Sequence, residues 1–97
     1  MLRMLWRRHR YNKWVNYIKE KYNHNQEIVN GIINGRIWTG QSSEQLLDSL
    51  GNPDAIDKQV LKTKTKEVWK YHETRKDQYA LKIMIEKDEV VGWDKKG

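Results

Sequence analysis

At 97 residues the chain is long enough for one domain with a single core, and its 33% charged residues leave a formal net charge of +6. It has no Cys, which excludes disulfides, thiolate metal sites and cysteine nucleophiles. No stretch approaches the roughly 18 apolar residues of a membrane span, and MLRMLWRRHRYNKW lacks the apolar run of a secretory signal.

Charge and rings are unevenly placed. Residues 1–22 hold seven Lys and Arg against one Glu, while the rest of the chain carries twelve of each sign. All the net charge therefore lies on the first segment, and an electrostatic partner is expected to meet the protein there. With Tyr left out and Gly counted in, about 38% of residues are apolar, below the roughly 45–50% of an average domain. The core should be thin and rely on five Trp and five Tyr, amphipathic rings that suit core edges and interfaces.

Residues 1–24 read as a basic amphipathic helix. Leu2, Leu5 and Trp6, then Tyr11, Trp14, Val15, Ile18 and Tyr22 recur at three- and four-residue steps opposite the Arg and Lys face. The stripe is interrupted from Arg7 to Arg10, so the helix is expected to start, bend or project from the body there. Residues 25–97 read as the compact remainder of one domain. Asn25 is a natural N-cap for a second helix with Ile28, Val29, Ile32 and Ile33 on its apolar face, and Gly35 ends it. Gly31 within that helix costs on the order of 1 kcal/mol relative to Ala, so packing must hold it.

The stretch GQSSEQLLDSLGNP, residues 40–53, specifies a doubly capped helix. Ser42 and Gln45 stand at the spacing of a capping box. Leu46, Leu47 and Leu50 form its apolar face, Gly51 can take the left-handed conformation that closes the last turn, and Pro53 forbids continuation. Beyond it the period changes to two. Ile56–Leu61, Val68–His72, Tyr79–Ile85 and Val90–Trp93 read as strands joined by the short charged connections KTKTK, ETRKDQ and EKDE. Tyr79, Leu81, Ile83 and Ile85 share one face, and Trp69 and Tyr71 share another with Glu67. Helices first and strands after predict an α+β fold, with a three- to four-stranded antiparallel meander packed on the helices.

Gly40-Gln41-Ser42, Gln45-Leu46, Leu50-Gly51-Asn52-Pro53, Trp69-Lys70-Tyr71 and the late Val90-Val91 together resemble the SmpA/OmlA (BamE-like) family of small bacterial envelope domains. The likeness spans residues 37–93 and leaves the basic helix outside it. Gln41 stands where the family usually has Met, and the lipobox Cys and signal peptide of its lipoprotein members are absent. The resemblance implies a helix-plus-meander domain used in protein assembly or scaffolding, with no catalytic residues to carry over.

The chemistry-bearing residues point the same way. His9, His24 and His72 lack the i, i+3 or i, i+4 partners that would build a metal face on a helix, and no phosphate-cradling Gly loop exists. Ser42 is accounted for as a cap, and the acidic residues read as solvated surface. No catalytic residue, metal or cofactor is expected. Trp6, Arg7, Arg8, Arg10, Lys13 and Trp14 are the candidate binding residues, since guanidinium groups interleaved with rings suit phosphates, base stacking or a membrane interface. A solvated face, an anionic membrane surface and nucleic acid are the three readings of that segment.

The expectation is thus a non-enzymatic interaction or scaffold domain with a protein partner, exposed Trp and Tyr on the sheet serving as its surface. The same aromatic face would join a homodimer. A nucleic-acid-binding protein using the basic helix is the alternative. The chain as it stands reads as cytoplasmic, and as membrane-associated if a spanning segment precedes it.

Overall fold

In the computed structural model, backbone is described for residues 2–96 and side chains for residues 10–96. Three helices come first, α1 (Leu2–Lys21), α2 (Gln26–Ile33) and α3 (Ser43–Leu50). Four strands follow, β1 (Ala55–Val60), β2 (Thr65–Arg75), β3 (Gln78–Glu86) and β4 (Glu89–Lys95). The strands form one antiparallel sheet in sequence order, a four-stranded meander, so the fold is α+β.

Local chemistry sets the helix ends. Asn25 Oδ1 accepts from the Ile28 amide at 3.3 Å, which caps α2. At the other end the Gly35 N–H donates to Ile32 O and the Arg36 N–H to Gly31 O, a Schellman closure that needs the φ of +65° at Gly35. α3 carries the full capping box: Ser42 Oγ accepts from the Gln45 amide at 3.0 Å, and Gln45 Oε1 accepts from the Ser42 amide at 2.9 Å. Gly51 ends it not in the expected left-handed helical conformation but at φ +81° and ψ −167°, an extended region open in practice only to glycine, from which its N–H still donates to Leu47 O. α1 does not start at the Arg7–Arg10 interruption; it is helical from Leu2 to Lys21.

β2, β3 and β4 are longer and the loops shorter than the sequence pattern predicts, while β1 keeps its length and starts one residue earlier. β2 runs from Thr65 to Arg75 because its polar ends are paired, Thr65–Lys70 with β1 and Lys66–Arg75 with β3. Lys87 and Asp88 alone join β3 to β4, both at positive φ, which is the two-residue turn whose twist matches the strands.

Two clusters, rather than the single core expected, hold the fold. Leu46 of α3 packs with Trp69, Tyr71, Leu81, Ile83, Ile85 and Val90 on one face of the sheet, with Ile37 and Leu50 at its margin. Ile18 of α1 packs with Val29 and Ile32 of α2, flanked by Trp14, Tyr22 and Trp38. Polar contacts tie the two together. Lys21 Nζ lies 2.8 Å from both Glu44 Oε1 and Asp48 Oδ2 of α3, and the Tyr22 hydroxyl donates to the same Asp48 oxygen.

Candidate functional site

The sequence places its candidate binding residues on α1, and burial divides that helix in two. From Trp14 to Tyr22 the inward stripe is covered: Ile18 is fully buried, and Trp14, Val15, Lys21 and Tyr22 are half-buried. From Arg10 to Lys13 the side chains are exposed. Tyr11, expected on the packed face, is 52% exposed and touches Trp14 only edge-wise, ring centroids 6.1 Å apart. Arg10 and Lys13 are exposed beside it, and Tyr17 is exposed further along. α1 thus presents a basic, ring-bearing surface at Arg10, Tyr11, Lys13 and Trp14. The side chains of Trp6, Arg7 and Arg8 lie outside the described residues.

Lys21, at the other end of the described face, has a fixed place in the fold. Lys21 is held by two carboxylates and lies 5.5 Å and 5.6 Å from the Tyr17 and Tyr22 ring centroids. Its ammonium is shifted upward, first by the hydrogen bond to Asp48 and then by that to Glu44. The Tyr22 hydroxyl is shifted up as well, by burial and then by its bond to Asp48. These groups fasten α1 to α3; they position the basic face without being part of it.

The residues of the capped-helix motif are structural. Leu46 is buried and Leu50 and Pro53 are half-buried, but Leu47, expected beside them, is 38% exposed because it lies on the solvent side of α3. Gly40 at φ +88° donates its N–H to Val90 O, and Val90 N–H returns a bond to Gln41 O, both at 2.8 Å. The loop before α3 is thereby stitched onto the start of β4. Gln41 itself is fully buried, its Nε2 donating to Arg36 O, a core role its polarity did not announce.

The expected aromatic face of the sheet requires correction. Trp69 and Tyr71 are each 5% exposed because they pack with Leu46 of α3, and Tyr79 is 9% exposed, with the Lys70 ammonium 5.4 Å from its ring centroid. Their polar atoms are satisfied inside: Trp69 Nε1 donates to Glu67 Oε2 at 3.1 Å and the Tyr71 hydroxyl to Gly51 O at 2.9 Å. Burial first, and then the Asp54 charge, pushes the Tyr71 phenol up to about 12. Among the described aromatic residues of the strands, Trp93 is the large ring left exposed, at 43%.

Trp93 borders a groove of about 350 Å³ between the end of α3 and the rim of the sheet. Ile37, Leu50 and Leu81 are its apolar lining, and His72 and Lys95 stand at its polar end. His72 has φ +59°, which takes its side chain out of the ordinary alternation of β2. The volume lies at the lower end of ligand-sized clefts, roughly 300–1,000 Å³. Among the described residues no group of three or more His, Asp or Glu could hold a metal ion, and no helix is long and apolar enough to cross a membrane.

Comparison of the chain with family models, with curated proteins and with solved structures finds no match.

Proposed function

We propose that this chain is a non-enzymatic interaction domain of the small bacterial assembly or scaffold type, and that the basic face of α1 docks it on an anionic membrane surface. The observation that carries the reading is the exposure of Tyr11 between Arg10 and Lys13, all three side chains lying open to solvent. Rings flanked by cations suit the headgroup region, where an amphipathic helix lies in the plane of the interface. The rest of the chain beyond residue 22 is neutral and adds no long-range attraction of its own. The likeness of residues 37–93 to SmpA/OmlA domains supports a scaffold role for the body.

Vesicle sedimentation tests the proposal, using phosphatidylglycerol–phosphatidylcholine vesicles, pure phosphatidylcholine vesicles and random-sequence DNA at low and physiological salt. Removing residues 1–22 is unsuitable, because Ile18, Lys21 and Tyr22 belong to the packed body. The charge-reversed pair Arg10→Glu and Lys13→Glu leaves that packing intact. Each basic residue near an anionic surface is worth about 1 kcal/mol, so the pair should weaken vesicle binding by more than about tenfold. Equal binding by both proteins, or preference for DNA over anionic vesicles, overturns the membrane reading; DNA binding with a steep salt dependence would establish the nucleic-acid one.

A further inference from the structure

We infer that the outer edge of β4, from Trp93 to Lys96, accepts an extended acidic peptide of a partner protein as a fifth strand, whose inward side chains fill the groove beside Trp93. Two independent features of the backbone and the surface meet there.

The first is an open edge. β4 is the last strand of the sheet, and its outer side is occupied only at its start. There Gly40 and Gln41 bond Val90, and the Ser43 N–H donates to Asp88 O. Val91 is then the extra residue of a β-bulge, since Ile85 pairs with Val90 but Met84 pairs with Gly92. The bulge resets the alternation beyond it. Lys96 N–H donates inward to Ala80 O at 2.7 Å, so by antiparallel pairing Gly92 and Asp94 also face β3. The N–H and C=O groups of Trp93 and Lys95 consequently face outward, two donors and two acceptors at the spacing a new strand requires.

The second feature is what lies over that edge. Trp93 pairs with Ile83 and Lys95 with Leu81, so both side chains share the helix-covered face of the sheet. The groove lined by Ile37, Leu50 and Leu81 is therefore on the side to which every second residue of an added strand would point. Its apolar part takes one Val-, Ile- or Leu-sized side chain. Its charge selects the neighbour: Lys95 lines it and no carboxylate is among its described lining residues, so an acidic residue beside the apolar anchor is favoured and a basic one repelled. Edge strands are usually blunted by Pro, by charged side chains such as Lys, by bulges or by cover. Among the described residues β4 has cover only as far as Val90; beyond the Val91 bulge its Lys95 repels a basic strand but attracts an acidic one.

Fluorescence polarisation with the full-length protein tests this, using a fluorescein-labelled nine-residue peptide of alternating Glu and Val with a central Leu. Two further probes have Lys for every Glu, or N-methyl groups on alternate amides so that the side chains remain but one hydrogen-bonding edge is lost. The acidic peptide should bind saturably, and the Lys and N-methyl peptides at least about tenfold more weakly. Trp93→Ala and Lys95→Glu should each lose about tenfold while keeping the circular dichroism and melting temperature of the parent. Arg10→Glu with Lys13→Glu should leave binding unchanged, which separates this edge from α1. The proposal is overturned if no probe binds, if the N-methyl peptide binds as well as the parent, or if Lys95→Glu has no effect. Sedimentation equilibrium showing a dimer that Trp93→Ala dissociates would equally overturn it, by assigning the edge to a second copy of this chain.

Discussion

Gly31 occupies the middle of a helix, where glycine is unfavourable by about 1 kcal/mol relative to alanine. Its neighbour explains it. A Cβ at Gly31 would stand 2.8 Å from Trp38 Cζ3 and 3.3 Å from Cη2, closer than carbon atoms pack, and an indole is too rigid to yield by a rotamer hop. The absent side chain is what lets Trp38 lie flat on α2 and extend the Ile18–Val29–Ile32 cluster. Gly31→Ala should therefore destabilise by about 1–3 kcal/mol in urea denaturation, opposite in sign to the change that helix propensity alone predicts. A double-mutant cycle with Trp38→Leu checks the cause, since the penalty should shrink by at least about 0.5 kcal/mol once the indole is gone. An unchanged penalty would place the strain elsewhere.

Elements whose signals are local were legible in the sequence, and those whose reasons are tertiary were not. Ser42, Gln45 and Gly51 announce α3 because each bonds within a few residues of itself. The period of two in Tyr79–Ile85 likewise gave the buried face of β3 correctly. The division into two clusters depends on Lys21 and Tyr22 reaching Asp48 across 27 and 26 residues, which no periodicity records. The groove was equally hidden, because it requires the bulge at Val91 and a left-handed His72. Trp69 and Tyr71 were seen as a pair but not as core, since alternation says which residues share a face and not which face the helices cover. The β3–β4 hairpin offers a test at this scale. Its turn places Lys87 at φ +51° and Asp88 at φ +63°, where side chains are strained and Asn-Gly is the favoured pair. Lys87→Asn with Asp88→Gly should stabilise by about 0.5–1 kcal/mol, read as a higher melting midpoint. A lower midpoint would mean that the Ser43 contact to Asp88 O depends on the native pair.

The molecule as a whole is fastened, within the sheet cluster and between it and the helical one, by groups that must keep their protons. Tyr71 bonds α3's closing Gly51 from the sheet, Tyr22 bonds Asp48 of α3 from the end of α1, and Tyr79 lies buried on β3. All three phenols are shifted upward, burial being the largest cause in each, and Tyr71 reaches about 12. The Lys21 ammonium is shifted upward too, by Asp48 and Glu44. In an unfolded chain Tyr and Lys titrate near pH 10 and 10.4. Between those values and the folded ones the unfolded state has already released protons that the fold retains, so it binds fewer and stability falls as pH rises. The contribution is whole below about pH 10 and is lost from there upward, for Tyr71 through about 12. Tyr71→Phe removes one titrating group together with its bond to Gly51 O, and should cost about 1 kcal/mol at pH 7. Above pH 10 the variant should lose stability less steeply than the parent, so that the two urea midpoints converge. Midpoints measured from pH 7 to pH 11.5 that stay parallel would show that the phenol does not sense folding.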